Sequence, residues 1–178
     1  MSLSLAQDGI INKLRSNLPD CPFPIRYTSL TAFNARYRQG RITATGSLVY
    51  TNVTEHVKIG DAPADFQRLA PSFTVSLQPW QEQLLFLRLM YKSTFRMPTF
   101  NDLYYYRLGN RSLRPEKANE YNMGITWSRS FSSFLNYLSV TVDGYYNDVT
   151  DKIVAFPTTY AWKMANYCLL YTSPSPRD

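Results

Sequence analysis

The sequence predicts an all-β protein, an antiparallel up-and-down transmembrane β-barrel wall of about seven strands, and three observations predict it. Apolar and polar residues alternate with period two through most of the chain. The connections between those segments are short and long by turns. Aromatic residues make up 15% of the sequence, Tyr alone accounting for 14 residues, and they gather at the segment ends.

The first alternating segment is Tyr27 to Arg38, where Tyr27, Ser29, Thr31, Phe33, Ala35 and Tyr37 share one face. Leu30, Ala32, Asn34, Arg36 and Arg38 share the other. Beyond the Gln39-Gly40 turn, Ile42, Ala44, Gly46, Leu48 and Tyr50 alternate with Thr43, Thr45, Ser47 and Val49. Phe73, Val75 and Leu77 then oppose Ser72, Thr74 and Ser76. In the denser segment 84–92, Leu85, Leu87, Leu89 and Tyr91 oppose Arg88 and Lys92. Tyr121, Met123, Ile125 and Trp127 alternate with Asn122, Gly124, Thr126 and Ser128. Leu138, Val140, Val142 and Tyr146 alternate with Ser139, Thr141, Asp143 and Asn147.

Short turns are expected at Gln39-Gly40, Pro79 to Gln83 and Arg129 to Ser133, with long links at 52–68, 93–119 and 148–158. Tight turns at one rim and long loops at the other are the rhythm of a membrane barrel, which a soluble sandwich rarely keeps. Trp80, Phe131, Phe134 and Tyr137 flank the short turns, while Tyr50, Tyr91, Tyr104, Tyr105, Tyr106 and Tyr145 lie near the long links. Amphipathic rings favour those levels because their faces prefer hydrocarbon and their edges prefer water.

The formal net charge is +6, from 19 basic and 13 acidic residues. The basic residues are scattered, as in Arg36, Arg38 and Arg41, so the surplus points to solvated loops rather than to a nucleic-acid surface. One histidine and two cysteines, Cys21 and Cys168, with no CxxC, supply neither a zinc site nor a disulfide framework. His56 is expected in a loop beside Glu55, and no G-x-S-x-G motif accompanies it, so no catalytic residue is assigned. Asp143, Asp148 and Asp151 lack calcium-loop spacing. The sequons at Asn52 and Asn110 are given no functional weight. No cofactor is expected. No signal peptide is visible at the start, and no run of about 18 apolar residues occurs.

The stretch from Tyr91 to Gly124 adds a resemblance. Ser93, Phe95, Arg96, Pro98, Thr99, Phe100, Asp102, Leu103 and Tyr104 are followed by Gly109, Asn110, Leu113, Pro115 and Glu116. In that order and spacing they resemble a segment of TonB-dependent outer-membrane receptors. Asp143 to Pro157 and Trp162 to Tyr167 are similar to the hairpin that follows it. Arg111 departs from the pattern, which often has Pro after Gly-Asn. Gly109 is expected to supply a positive φ, Pro115 to stiffen the entry into the next strand, and Arg114 to pair with Glu116.

The resemblance implies a barrel of about 22 strands in the outer membrane. It implies energy-coupled uptake of a scarce nutrient: siderophore-bound iron, haem, cobalamin or a glycan. The implied partners are TonB with its inner-membrane motor complex, outer-membrane lipid and the cargo itself, but no nucleic acid. Arg96, Asn101, Tyr104, Tyr105, Tyr106 and Arg111 are candidate cargo contacts, since aromatic faces and Arg suit anionic or sugar ligands. The resemblance also implies a signal sequence, a TonB-contacting segment, a plug and closing strands beyond these residues. An open sheet leaves two unpaired edges in hydrocarbon, so the isolated chain is expected to aggregate or be degraded.

Residues 1–26 are expected to be an extracellular-loop-like segment, 27–167 a partial barrel, and 168–178 a non-native tail resembling translated sequencing adapter. The competing reading is a soluble, basic, aromatic-rich β-domain that binds nucleic acid or carbohydrate. That reading requires a polar outer face around one buried core.

Overall fold

The computed structural model describes residues 1–17, 22–80, 84–106, 108–130, 137–157 and 162–172. Eight strands run in sequence order in one antiparallel sheet: β1 (Ser2–Lys13), β2 (Ile25–Gln39), β3 (Ile42–His56), β4 (Phe66–Leu77), β5 (Leu84–Arg96), β6 (Glu116–Ser130), β7 (Tyr137–Pro157) and β8 (Trp162–Thr172). One short helix, α1 (Phe100–Tyr104), lies in the link between β5 and β6. No helix among the described residues is long and apolar enough to cross a membrane, a statement that does not bear on strands.

Register turns separate alternations into one surface. Phe33 lies opposite Leu48, and Leu48 opposite Pro71. Phe73 lies opposite Tyr91, Tyr91 opposite Tyr121, and Tyr121 opposite Tyr146. Because directly paired residues of antiparallel strands share a face, every apolar set predicted from the sequence falls on the same side of the sheet. That side is open: Phe73, Leu89, Met123 and Val142 are all more than half exposed. Exposed apolar area of this extent belongs against hydrocarbon. The buried hydrophobic cluster is small, Leu103, Leu113 and Ile153 with Tyr104 and Met164 against it. This is the reverse of the polar exterior and single core that the soluble reading requires.

The rims follow the expected rhythm, with corrections. The consecutive ends of β2 and β3, β4 and β5, and β6 and β7 lie at one rim, and those of β1 and β2, β3 and β4, β5 and β6, and β7 and β8 at the other. Gly40 turns the first hairpin with φ 53, a conformation costly for any residue with a Cβ. Phe131 and Phe134 lie outside the described residues.

The expected long link at 148–158 is instead the upper part of β7, which carries Asp148 and Asp151. His56 likewise ends β3 rather than lying in a loop. Strands of 15 residues rise roughly 50 Å at about 3.3 Å each, while about 10 residues cross the hydrocarbon. At the upper end of β3 the polar residues Asn52, Thr54 and His56 share the outer face while Thr51, Val53 and Glu55 are buried on the other, so the apolar-out alternation vanishes from the sequence.

The eighth strand, β1, occupies what was expected to be a loop-like segment. Its alternation is broken at Gln7 and Gly9, but β2 offers an edge of unpaired amides, and twelve residue pairs from Ser2↔Arg36 to Lys13↔Ile25 fill it. Pro22 and Pro24 in the following link are fully buried, and the Lys58 amide donates to the Pro22 carbonyl at 2.9 Å. Cys21 lies outside the described residues. At the other end, β8 takes in residues 162–172, so the first residues of the expected tail have strand backbone. Residues 173–178 lie outside the described residues.

Candidate functional site

The long link between β5 and β6 folds back over the inner wall, and its own sequence begins the fold. Thr99 caps α1: its hydroxyl accepts from the Asp102 amide at 3.2 Å, while Asp102 Oδ2 accepts from the Thr99 amide at 2.8 Å. Satisfying both donors lets a five-residue helix persist. Arg96 Nη2 donates to the same Asp102 oxygen at 3.3 Å, and its Nη1 stands 3.8 Å from Glu116 across the base of the link.

The chain then reverses tightly. The Tyr105 carbonyl accepts from the Leu108 and Gly109 amides at 3.2 and 2.8 Å, and the Asp102 carbonyl from Asn110 at 2.8 Å. Gly109 is required by close approach rather than by a positive φ, which it does not have. A Cβ there would lie 2.6 Å from the Leu103 carbonyl oxygen. The expected pairing of Arg114 with Glu116 is also replaced: Arg114 bonds Asp151 at 2.8 Å, and Glu116 faces Arg96. Arg114 lies in the link ahead of β6, so strand alternation does not tie its direction to that of Glu116.

Contacts from distant strands hold the link down. Arg26 Nε donates to Glu55 Oε2 at 2.7 Å, with both side chains nearly enclosed. Glu55 Oε1 accepts from the Tyr104 hydroxyl. The Arg26 guanidinium lies 4.9 Å from the Phe100 ring centre, and the Arg111 guanidinium 5.5 Å from that of Tyr104. Burial, and then the hydrogen bond to the Glu55 carboxylate, push the Tyr104 phenol far above its ordinary range, since a phenolate there would face a carboxylate out of water. On the far side, Asn110 Nδ2 donates to the Met164 carbonyl at 3.0 Å. Asn166 joins the carbonyls of Arg114 and Asp151 at 2.9 and 2.7 Å.

The six candidate contacts therefore divide. Arg96 and Tyr104 spend their polar groups on Asp102, Glu116 and Glu55. Asn101, Tyr105, Tyr106 and Arg111 are exposed, Tyr105 with 52% of its surface, although the Arg111 guanidinium also packs on the Tyr104 ring. Sequence reasoning missed Arg26 and Glu55, which organise the site from 29 and 49 positions away in the Arg26–Glu55 and Tyr104–Glu55 contacts. Alternation marks neither, since Arg26 sits just ahead of the first alternating segment and Glu55 within an expected link.

Two cavities flank the Arg26–Glu55 pair. One of about 320 Å³ lies between the 57–65 and 97–115 links, lined by Glu55, Asp65, Phe66, Leu103 and Arg111 among others. One of about 390 Å³ lies between α1 and the inner wall, lined by Thr28, Leu30, Thr51, Phe95 and Phe100. Among the described residues no cluster of three or more His, Cys, Asp or Glu side chains is placed to hold a metal.

Residues 10–172 match the protein family described as TonB dependent receptor-like, beta-barrel. The chain is also similar to the vitamin B12 transporter BtuB of Vibrio vulnificus (strain YJ016), with 35% identity over 74 residues. That alignment covers 40% of this chain and 11% of BtuB, so the chain matches about a tenth of that relative's length.

Proposed function

The chain belongs to the TonB-dependent receptor β-barrel family of the outer membrane, and we propose that it forms one wall of a transporter that draws a scarce nutrient across that membrane. The family is one of receptors and transporters rather than enzymes. The observation that carries the reading is the two-faced sheet. One side is continuously apolar and exposed, the other is polar, and the large links gather at a single rim. In this reading the apolar side meets lipid, the polar side lines the lumen, and the folded 97–115 link receives cargo from outside.

Asn101, Tyr105, Tyr106 and Arg111 make the first contacts, and Arg96 and Tyr104 hold them in place. Energy reaches the barrel through TonB and its inner-membrane motor, acting on segments beyond these residues. Siderophore-bound iron, haem, cobalamin and glycans are the cargo classes to compare. The similarity to a vitamin B12 transporter makes cobalamin the first to test.

The test is uptake of labelled cobalamin by cells that lack their own receptor and express the complete receptor carrying this chain. Uptake that requires both TonB and the proton gradient supports transport and names the cargo. Growth on haem, a siderophore or a glycan instead reassigns the cargo. Permeation that persists without TonB refutes coupled transport.

A further inference from the structure

We propose that the wall carries a built-in seam between β4 and β5, along which its upper part divides into two leaves, and that the 97–115 link is the clasp holding those leaves together. The seam goes beyond the transport reading, since it concerns how this sheet opens and not what passes through it.

The ladder between these strands stops short. β4 pairs with β3 along all 12 of its residues, and β5 pairs with β6 along all 13. Between β4 and β5 the pairs run only from Leu77↔Leu87 up to Ser72↔Lys92. Above them, Phe66 to Pro71 and Ser93 to Arg96 share no rung. Pro71 stands at the break, with no amide hydrogen to give to a ladder. At this height β1 to β4 form one leaf and β5 to β8 the other.

Side chains close the gap instead. Arg68 Nη2 donates to the Ser93 hydroxyl at 3.0 Å, and Ser93 is buried. The Arg68 guanidinium lies 5.8 Å from the Phe95 ring centre, and the Phe66 and Phe95 rings stand 5.2 Å apart. Directly paired residues share a face, so the lower register carried upward would put Arg68 and Phe66 on the face opposite to Ser93 and Phe95. They meet because the two strand ends turn relative to one another above Pro71. A boundary held by side chains parts more readily than a run of paired backbone groups.

The 97–115 link leaves from β5 and returns into β6, yet its contacts reach across the seam. Tyr104 bonds Glu55, and Phe100 lies beside Arg26, both partners belonging to the other leaf. Arg111 lies so close to Gly60 that a Cβ there would strike its guanidinium. The 320 Å³ cavity also spans the seam, with Asp65 and Phe66 lining it from one leaf and Met97, Pro98 and Leu103 from the other. Releasing the clasp lets the leaves part and the cavity widen without breaking a rung between β4 and β5.

The test is double electron–electron resonance on the complete receptor in lipid nanodiscs, in a Cys21→Ser, Cys168→Ser background. Spin labels on Leu69→Cys and Lys117→Cys, both exposed positions, report across the seam. Labels on Lys13→Cys and Leu69→Cys report within one leaf. Arg68→Met adds a second, longer distance population across the seam and leaves the within-leaf distance unchanged. Ser93→Ala removes only the acceptor and adds the same population at lower amplitude. Glu55→Gln, which loosens the clasp, adds it as well. A single unchanged distance across the seam in all three variants overturns the proposal. Equal lengthening of the within-leaf pair in the folded Ser93→Ala receptor overturns it too, because the wall then loosens as a whole.

Discussion

Replacing Glu55 with Gln should free the 97–115 link from the wall while leaving the strands paired. Glu55 is 7% exposed and serves two partners, Arg26 through Oε2 at 2.7 Å and the Tyr104 hydroxyl through Oε1. The substitution preserves shape but leaves the Arg26 charge enclosed without a counter-ion. Removing one partner of a buried pair costs about 3–5 kcal/mol. Glutamine retains one acceptor oxygen and Arg26 has the Phe100 face beside it, so about 2–3 kcal/mol is the reasonable expectation at this site. Every 1.4 kcal/mol is a factor of ten, which makes link opening roughly 30- to 150-fold more frequent. Hydrogen exchange followed by mass spectrometry reads this directly. Peptides covering 97–115 should exchange faster by about that factor, and peptides from the lower halves of β5 and β6 should not change. Arg26→Met with Glu55→Gln should recover much of the protection, because no charge is then stranded. Unchanged exchange in 97–115, or an equal rise in every strand, would refute the view that this buried pair holds the link.

Three further outcomes follow from the same geometry. Val142, 65% exposed on the apolar side, should cost about 2–4 kcal/mol of folding stability in lipid vesicles when changed to Arg, whereas Thr141→Arg on the opposite face should cost less than about 1 kcal/mol, both read from urea titrations. Gly109→Ala places a methyl group 2.6 Å from the Leu103 carbonyl oxygen and should cost about 1–3 kcal/mol, visible as faster limited proteolysis within 97–115. The raised Tyr104 phenol predicts alkaline sensitivity: below about pH 10 the folded and unfolded states both hold the proton. Above that pH the unfolded state loses it first, so the protection of 97–115 should fall as pH rises toward the folded value. Tyr104→Phe should be weaker at neutral pH and lack that fall.

Most of the wall was legible in the residues themselves. The alternations at 27–38, 42–50, 72–77, 84–92, 121–128 and 138–147 each became part of a strand, because period two is a property of neighbours along the chain and needs no tertiary information. Strand ends were less legible. Above the lipid layer both faces of β3 and β7 meet water or the folded link, so His56 and Asp151 lost the signature that would have placed them in strands. β1 was invisible for a related reason, since its order comes from the open edge of β2 more than from its own pattern.

The folded link shows the boundary most sharply. The residues from Thr99 to Tyr104 carry a local signal, a capping box between Thr99 and Asp102, but alternation marks them only as part of a long link. The partners that fix its place carry none, because Glu55 meets Tyr104 and Asn110 meets Met164 across separations of 49 and 54 residues. By itself the sequence determined an amphipathic sheet with one lipid-compatible face, since alternation is local chemistry. Only the tertiary structure decided which inward polar residues are spent holding the link. Those assignments depend on strand register, which brings distant residues opposite one another and leaves no trace in local order.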